Sequence, residues 1–71
     1  MKNMEIKYPN RLRELRLKKK LKQKEVAGLI GFRSDDRISR WEQGQSMPSY
    51  PNILKLARLF EVKSEEIYFK A

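Results

Sequence analysis

One stretch constrains this chain more than any other: residues 23–44, QKEVAGLIGFRSDDRISRWEQG. Val26, Leu29 and Ile30 follow the i, i+3, i+4 spacing of a helix with one buried face. Gly31 then supplies the positive φ that ends such a helix, and Phe32 drops back toward a core. Ser34 or Asp35 can cap a second helix, and Asp35 and Asp36 suit its positive N-terminal end. Ile38 and Trp41, three apart, are its inward anchors, and Gly44 is its stop. The spacing therefore predicts a short helix, a tight turn, and a second helix over residues 35–43 that exposes Arg37, Ser39, Arg40 and both aspartates. Ahead of the first helix, Glu25 can bond back to the backbone as in a capping box, but Lys22 at the cap position has no acceptor to return the bond. Gly28 stands mid-helix, where glycine costs about 1 kcal/mol relative to alanine.

The flanking segments read as support. Residues 1–9 show no sustained period and close with Pro9, a short arm. Asn10 is a suitable cap for a helix over residues 11–19, in which Leu12 and Leu15 face inward and Glu14 and Lys18 pair outside. Lys18, Lys19 and Lys20 suit the negative end of that helix, and Leu21 re-enters the core. After the loop 45–48, Ser49 is placed to cap a fourth helix that tolerates Pro51 in its first turn. Ile53, Leu54, Ala57 and Phe60 give it one apolar face, widened by Leu56 and Leu59, a width that suits core plus a dimer contact. Val62 follows the break. Ser64 is the expected cap of a last short helix, with Glu65 and Glu66 at its start and Ile67 and Phe69 packing back. No β-alternation of useful length occurs, so the class is all-α, with one domain over residues 10–69 and room for a single core.

Composition narrows the chemistry. The chain has no Cys and no His, which removes disulfides, thiolate nucleophiles, most zinc sites and the usual general base. No enzyme, metal or cofactor is expected. The first ten residues carry charges and a Pro where a secretory signal needs an apolar run, and nothing approaches a membrane span, so a cytoplasmic protein is the default. Against 9 Asp and Glu stand 17 Lys and Arg, a formal charge of +8. Between Arg11 and Arg40 there are 11 basic and 4 acidic residues. The excess thus sits around the central stretch, and a polyanion is the natural partner.

Two helices about a glycine-containing turn, the second short, exposed and polar, meet the geometric demands of a helix-turn-helix. NRLRELRLKKKLKQKEVAGLIG, followed by ISRWEQG, a Pro and ILKLARLFEV, resembles the helix-turn-helix domain of phage repressors and Cro proteins, the XRE-like regulators. The resemblance implies a compact five-helix, lambda-repressor-like bundle that binds double-stranded operator DNA in the major groove, usually as a homodimer on a two-fold site. It places Gln23 where relatives often hold a phosphate, and Ser34, Asp35, Asp36, Arg37 and Arg40 at base-reading positions. It also pairs Arg16 with Glu42 as a structural couple. Six residues separate Gly31 from Ile38, one more than the family's commonest spacing. The register from Arg33 to Asp36 is therefore open by one position, and with it which residue leads into the groove.

Roles follow from the chemistry. Arg40, Arg37 or Arg33 can contact guanine O6 and N7 with two prongs, while a carboxylate from Asp35 or Asp36 can accept from cytosine N4 but is repelled by phosphates. Lys22, Gln23, Lys24, Gln45 and Ser46, at helix and loop ends, are candidates for phosphates. Trp41 and Tyr50 are read as core or near-core residues rather than base-stacking ones. The leading expectation is a sequence-specific transcriptional regulator, a repressor more than an activator. A second reading is an antitoxin-like regulator that holds another protein through its last helices. A third, a cationic membrane-surface protein, sits poorly with several short, separately capped helices.

Overall fold

The computed structural model describes residues 7–68. Four α-helices follow one another: α1 (Leu12–Lys18), α2 (Gln23–Leu29), α3 (Asp36–Glu42) and α4 (Tyr50–Phe60). A single 3-10 turn, Ser64–Glu66, stands where a fifth helix is expected. Its N-cap is Lys63, and Ser64 contributes its carbonyl, which accepts from Ile67 and Tyr68. Phe69 lies outside the described residues. Among the described residues there is no strand, and no helix is long and apolar enough to cross a membrane.

The core gathers one stripe from each element. Leu12 and Leu15 of α1, Val26, Ala27 and Ile30 around α2, Ile38 and Trp41 of α3, Leu56, Ala57 and Phe60 of α4, and Ile67 are all buried. Leu21, Phe32, Leu59, Val62 and Tyr68 pack against them. Two expected core residues are not in it. Leu29 is 62% exposed, because α2 is rotated so that Val26, Ala27 and Ile30 define its inner face and Leu29 falls to the side. Leu54 is 41% exposed, since the inner face of α4 runs through Ile53, Leu56, Ala57 and Phe60.

Side chains close the helix ends in ways that decide where α3 lies. Asn10 Oδ1 accepts from Leu12 N–H at 2.9 Å, and its Nδ2 donates to the Trp41 carbonyl at 2.7 Å, so one residue serves the start of α1 and the end of α3. Lys7 and Tyr8 N–H both donate to the Gly44 carbonyl at 3.1 Å. The end of the N-terminal arm is thereby fixed at the C-terminus of α3. Gly31, at φ 95°, ends α2. Lys20, at φ 59°, turns the chain between α1 and α2 in the left-handed region that side chains disfavour.

Candidate nucleic-acid interface

The position of α3 is set by an ionic network that its own sequence half supplies. Arg16 Nε donates to Glu42 Oε2 at 2.6 Å, Arg16 Nη2 to Glu42 Oε1 at 3.1 Å, and Arg16 Nη1 to the Leu21 carbonyl at 2.9 Å. Gln23 Nε2 adds a third donation to Glu42, at 3.1 Å. The two charged side chains are 10% and 3% exposed. This two-pronged pair joins α1 to α3, and Gln23 brings in α2. A buried carboxylate is tolerated only when its lone pairs are matched in this way. Gln23, expected at a phosphate, therefore has its side-chain amide nitrogen turned toward Glu42.

At the other end of α3 the lengthened turn is held by local bonds. Ser34 Oγ accepts from Asp36 N–H at 3.1 Å, so Ser34 meets a free donor at the helix start, while Asp35, the cap residue by backbone position, makes no side-chain cap bond. Phe32 is half-buried and lies edge-on to Trp41, with ring centroids 5.7 Å apart. The Arg37 guanidinium sits 5.0 Å above the Phe32 ring centre, within the range of a cation–π attraction.

At about 100° per residue, Asp36, Arg40 and Gln43 share the face of α3 opposite Ile38 and Trp41. Asp36, Arg40 and Gln43 are exposed. Arg37 lies a quarter-turn to one side, over Phe32. Arg33, Ser34, Asp36, Arg37 and Arg40 line one shallow open concavity together with Gly31 and Phe32; Asp35 is half-buried beside it. Gln43 was not among the expected site residues, although it completes an i, i+4, i+7 series from Asp36; its Nε2 donates to Ser39 Oγ at 3.0 Å.

Lys22 caps α2 by backbone position, with its N–H donating to Glu25 Oε1 at 2.7 Å. A lysine offers no acceptor for the return bond, so the capping box is one-sided. Lys22 and Lys24 are exposed, as is Gln45, whose N–H donates to the Arg40 carbonyl; Ser46 is half-buried. Among the described residues none of Lys22, Lys24, Arg33, Arg37 or Arg40 is in an ion pair. The exposed pairs lie elsewhere: Arg11–Glu14 and Lys19–Glu61, each at 2.8 Å. There the hydrogen bond from the basic partner holds the carboxyl group below its ordinary range. Trp41 is buried in the core, but Tyr50 is 69% exposed. That corrects its expected near-core position: as the first residue of α4 it projects past the stripe led by Ile53.

Comparison with known proteins agrees with this geometry. The model of the helix-turn-helix family matches residues 12–67. Among solved structures, the chain is similar to the restriction-modification controller protein C.AhdI from Aeromonas hydrophila, with 41% identity over 79% of this chain and 83% of that one, and a TM-score of 0.70. A search of curated proteins finds no match. The α2–turn–α3 unit, its outward polar face and these similarities together show that the chain belongs to the XRE-type helix-turn-helix family of DNA-binding transcription regulators.

Proposed function

We propose that the chain is a sequence-specific regulator, a repressor rather than an activator, that seats α3 in the major groove of operator DNA. It acts in the cytoplasm without catalysis or a cofactor. The observation that carries this reading is the build of α3: Ile38, Trp41 and Glu42 anchor one side, and the other presents charged side chains that, among the described residues, are in no ion pair. A fixed polar helix face is what direct readout of base edges requires. In this reading Arg33, Ser34, Asp35, Asp36 and Arg40 form the tip that enters the groove, and Arg37 stands back from it over Phe32. Lys22, Lys24, Gln45 and Ser46 hold the flanking phosphates, and Gln23 adds what its second amide hydrogen can reach.

A homodimer on a two-fold site is part of the proposal. Met47 in the loop before α4, with Tyr50 and Leu54 in its first turns, are exposed apolar residues, and a second copy would cover them. The likeness to a restriction-modification controller supports control of such genes as the specific form of the function. In vitro selection from random duplexes at about 0.15 M salt tests both parts. The expected product is a two-fold motif with half-sites about 34 to 36 Å apart. Enrichment of no motif would refute sequence-specific recognition. A single half-site bound by a monomer would refute the dimer and leave the α4 face to a different protein, as in the antitoxin-like reading.

A further inference from the structure

We propose that Asp36 and Arg40 act as a matched acid–base pair reading a cytosine and a guanine one or two base-pair steps apart, with Arg37 withdrawn as a positioning residue against Phe32. The inference rests on the proposal that α3 enters the major groove, and it names the bases that α3 would select there. Asp36 and Arg40 are one helical turn apart on the outward face, both exposed, and among the described residues no salt bridge joins them or ties either to another residue. Two opposite charges at i, i+4 ordinarily neutralise each other. Here both remain available to a ligand that offers a donor to one and acceptors to the other.

A base-pair edge offers that combination. Cytosine presents an N4 donor with no acceptor of its own beside it, whereas adenine flanks its N6 donor with N7, which repels a carboxylate. Guanine presents O6 and N7 to the forked guanidinium. Four residues of helix rise about 6 Å, against about 3.4 Å per base-pair step, so the two contacts fall on adjacent pairs or with one pair between. Arg37 is the other arginine of α3, but its guanidinium is 5.0 Å from the Phe32 ring centre and a quarter-turn off the reading face. Held there, it keeps Phe32 against Trp41 and sets the tip of α3.

The test is selection of bound duplexes by the wild-type chain and by Asp36→Asn, Arg40→Gln and Arg37→Ala. All three residues are exposed, and circular dichroism with thermal melting shows whether each variant keeps the fold. The expected wild-type motif holds a cytosine within two base pairs of a guanine. Asp36→Asn should convert that cytosine to adenine, because an amide pairs with N6 and N7, and Arg40→Gln should convert the guanine to adenine. Each variant should prefer its new base at least about five-fold over the old one, the lower end of one good base contact. Arg37→Ala should leave both preferences in place while shifting Trp41 emission. If Asp36→Asn tightens every duplex equally and leaves the motif unchanged, Asp36 only repels phosphates and the pair assignment is overturned. A change of base preference in Arg37→Ala would overturn its positioning role. Failure of the underlying reading looks different, since the wild-type chain would then enrich no motif.

Discussion

Replacing Arg16 with methionine should strongly destabilise the domain, and replacing Glu42 with leucine as well should restore most of what is lost. In the single variant the Glu42 carboxylate, 3% exposed, loses both guanidinium donors and keeps only the Gln23 amide. The Leu21 carbonyl loses its guanidinium partner too. Breaking one side of a buried pair costs about 3–5 kcal/mol, and a domain of this size has about 5–10 kcal/mol in total. The single variant should therefore retain between almost none and about 7 kcal/mol of that stability. In Arg16→Met/Glu42→Leu no buried charge is stranded, and the double variant should come within about 2 kcal/mol of wild type. Urea denaturation followed by the single tryptophan, Trp41, measures all four corners of the cycle. A loss below about 1 kcal/mol for Arg16→Met, or a double variant as unstable as the sum of the singles, would show that the pair does not hold α3 as described.

Lys22→Ala should weaken binding to all duplexes alike and reduce the slope of log affinity against log salt by about 0.9, one released counterion. A glycine pair separates space from conformation. An added Cβ at Gly28 meets nothing within 4 Å, so Gly28→Ala should raise stability by about 0.5–1 kcal/mol in thermal melts. Gly31 has equal room but stands at φ 95°, so Gly31→Ala should lower stability by about 1–2 kcal/mol. Burial of the Tyr68 hydroxyl, without a hydrogen-bond partner among the described residues, pushes its pKa up to about 12. The unfolded chain ionises first, near 10, so native stability should fall as pH rises from 10 toward 12. Tyr68→Phe should flatten that part of the stability–pH curve, and an unchanged slope would place the hydroxyl in water.

The α2–turn–α3 unit was legible because its apolar residues recur at helical spacing and Gly31 marks the one place where the chain must turn. Arg16 and Glu42 are paired by resemblance, since the 25 residues between them carry no local signal. Burial at the margins was harder to read. A leucine such as Leu29 or Leu54 fits the edge of an apolar stripe equally well on either side, and a small rotation of the helix decides. Whether Arg37 faces the groove or the Phe32 ring depends on the extra turn residue, whose path is set by Ser34 bonding to Asp36. Gln23 shows the same limit: an amide can serve a phosphate or a carboxylate, and only the approach of Glu42 decides between them. The expected last helix shortened to one 3-10 turn, which the acidic run at 65–66 did not distinguish from a longer element.

The Glu42 carboxylate, joined at once to α1, α2 and α3, also bears on what binding costs. A reading helix that were loosely hinged would lose conformational freedom on entering the groove, and that entropy would be subtracted from affinity for right and wrong sequences alike. Here that freedom is already removed by folding, so the free chain is preorganised for its ligand. Discrimination between duplexes then depends on the contacts themselves. Loosening the Glu42 network should weaken the best operator without making poor ones relatively worse.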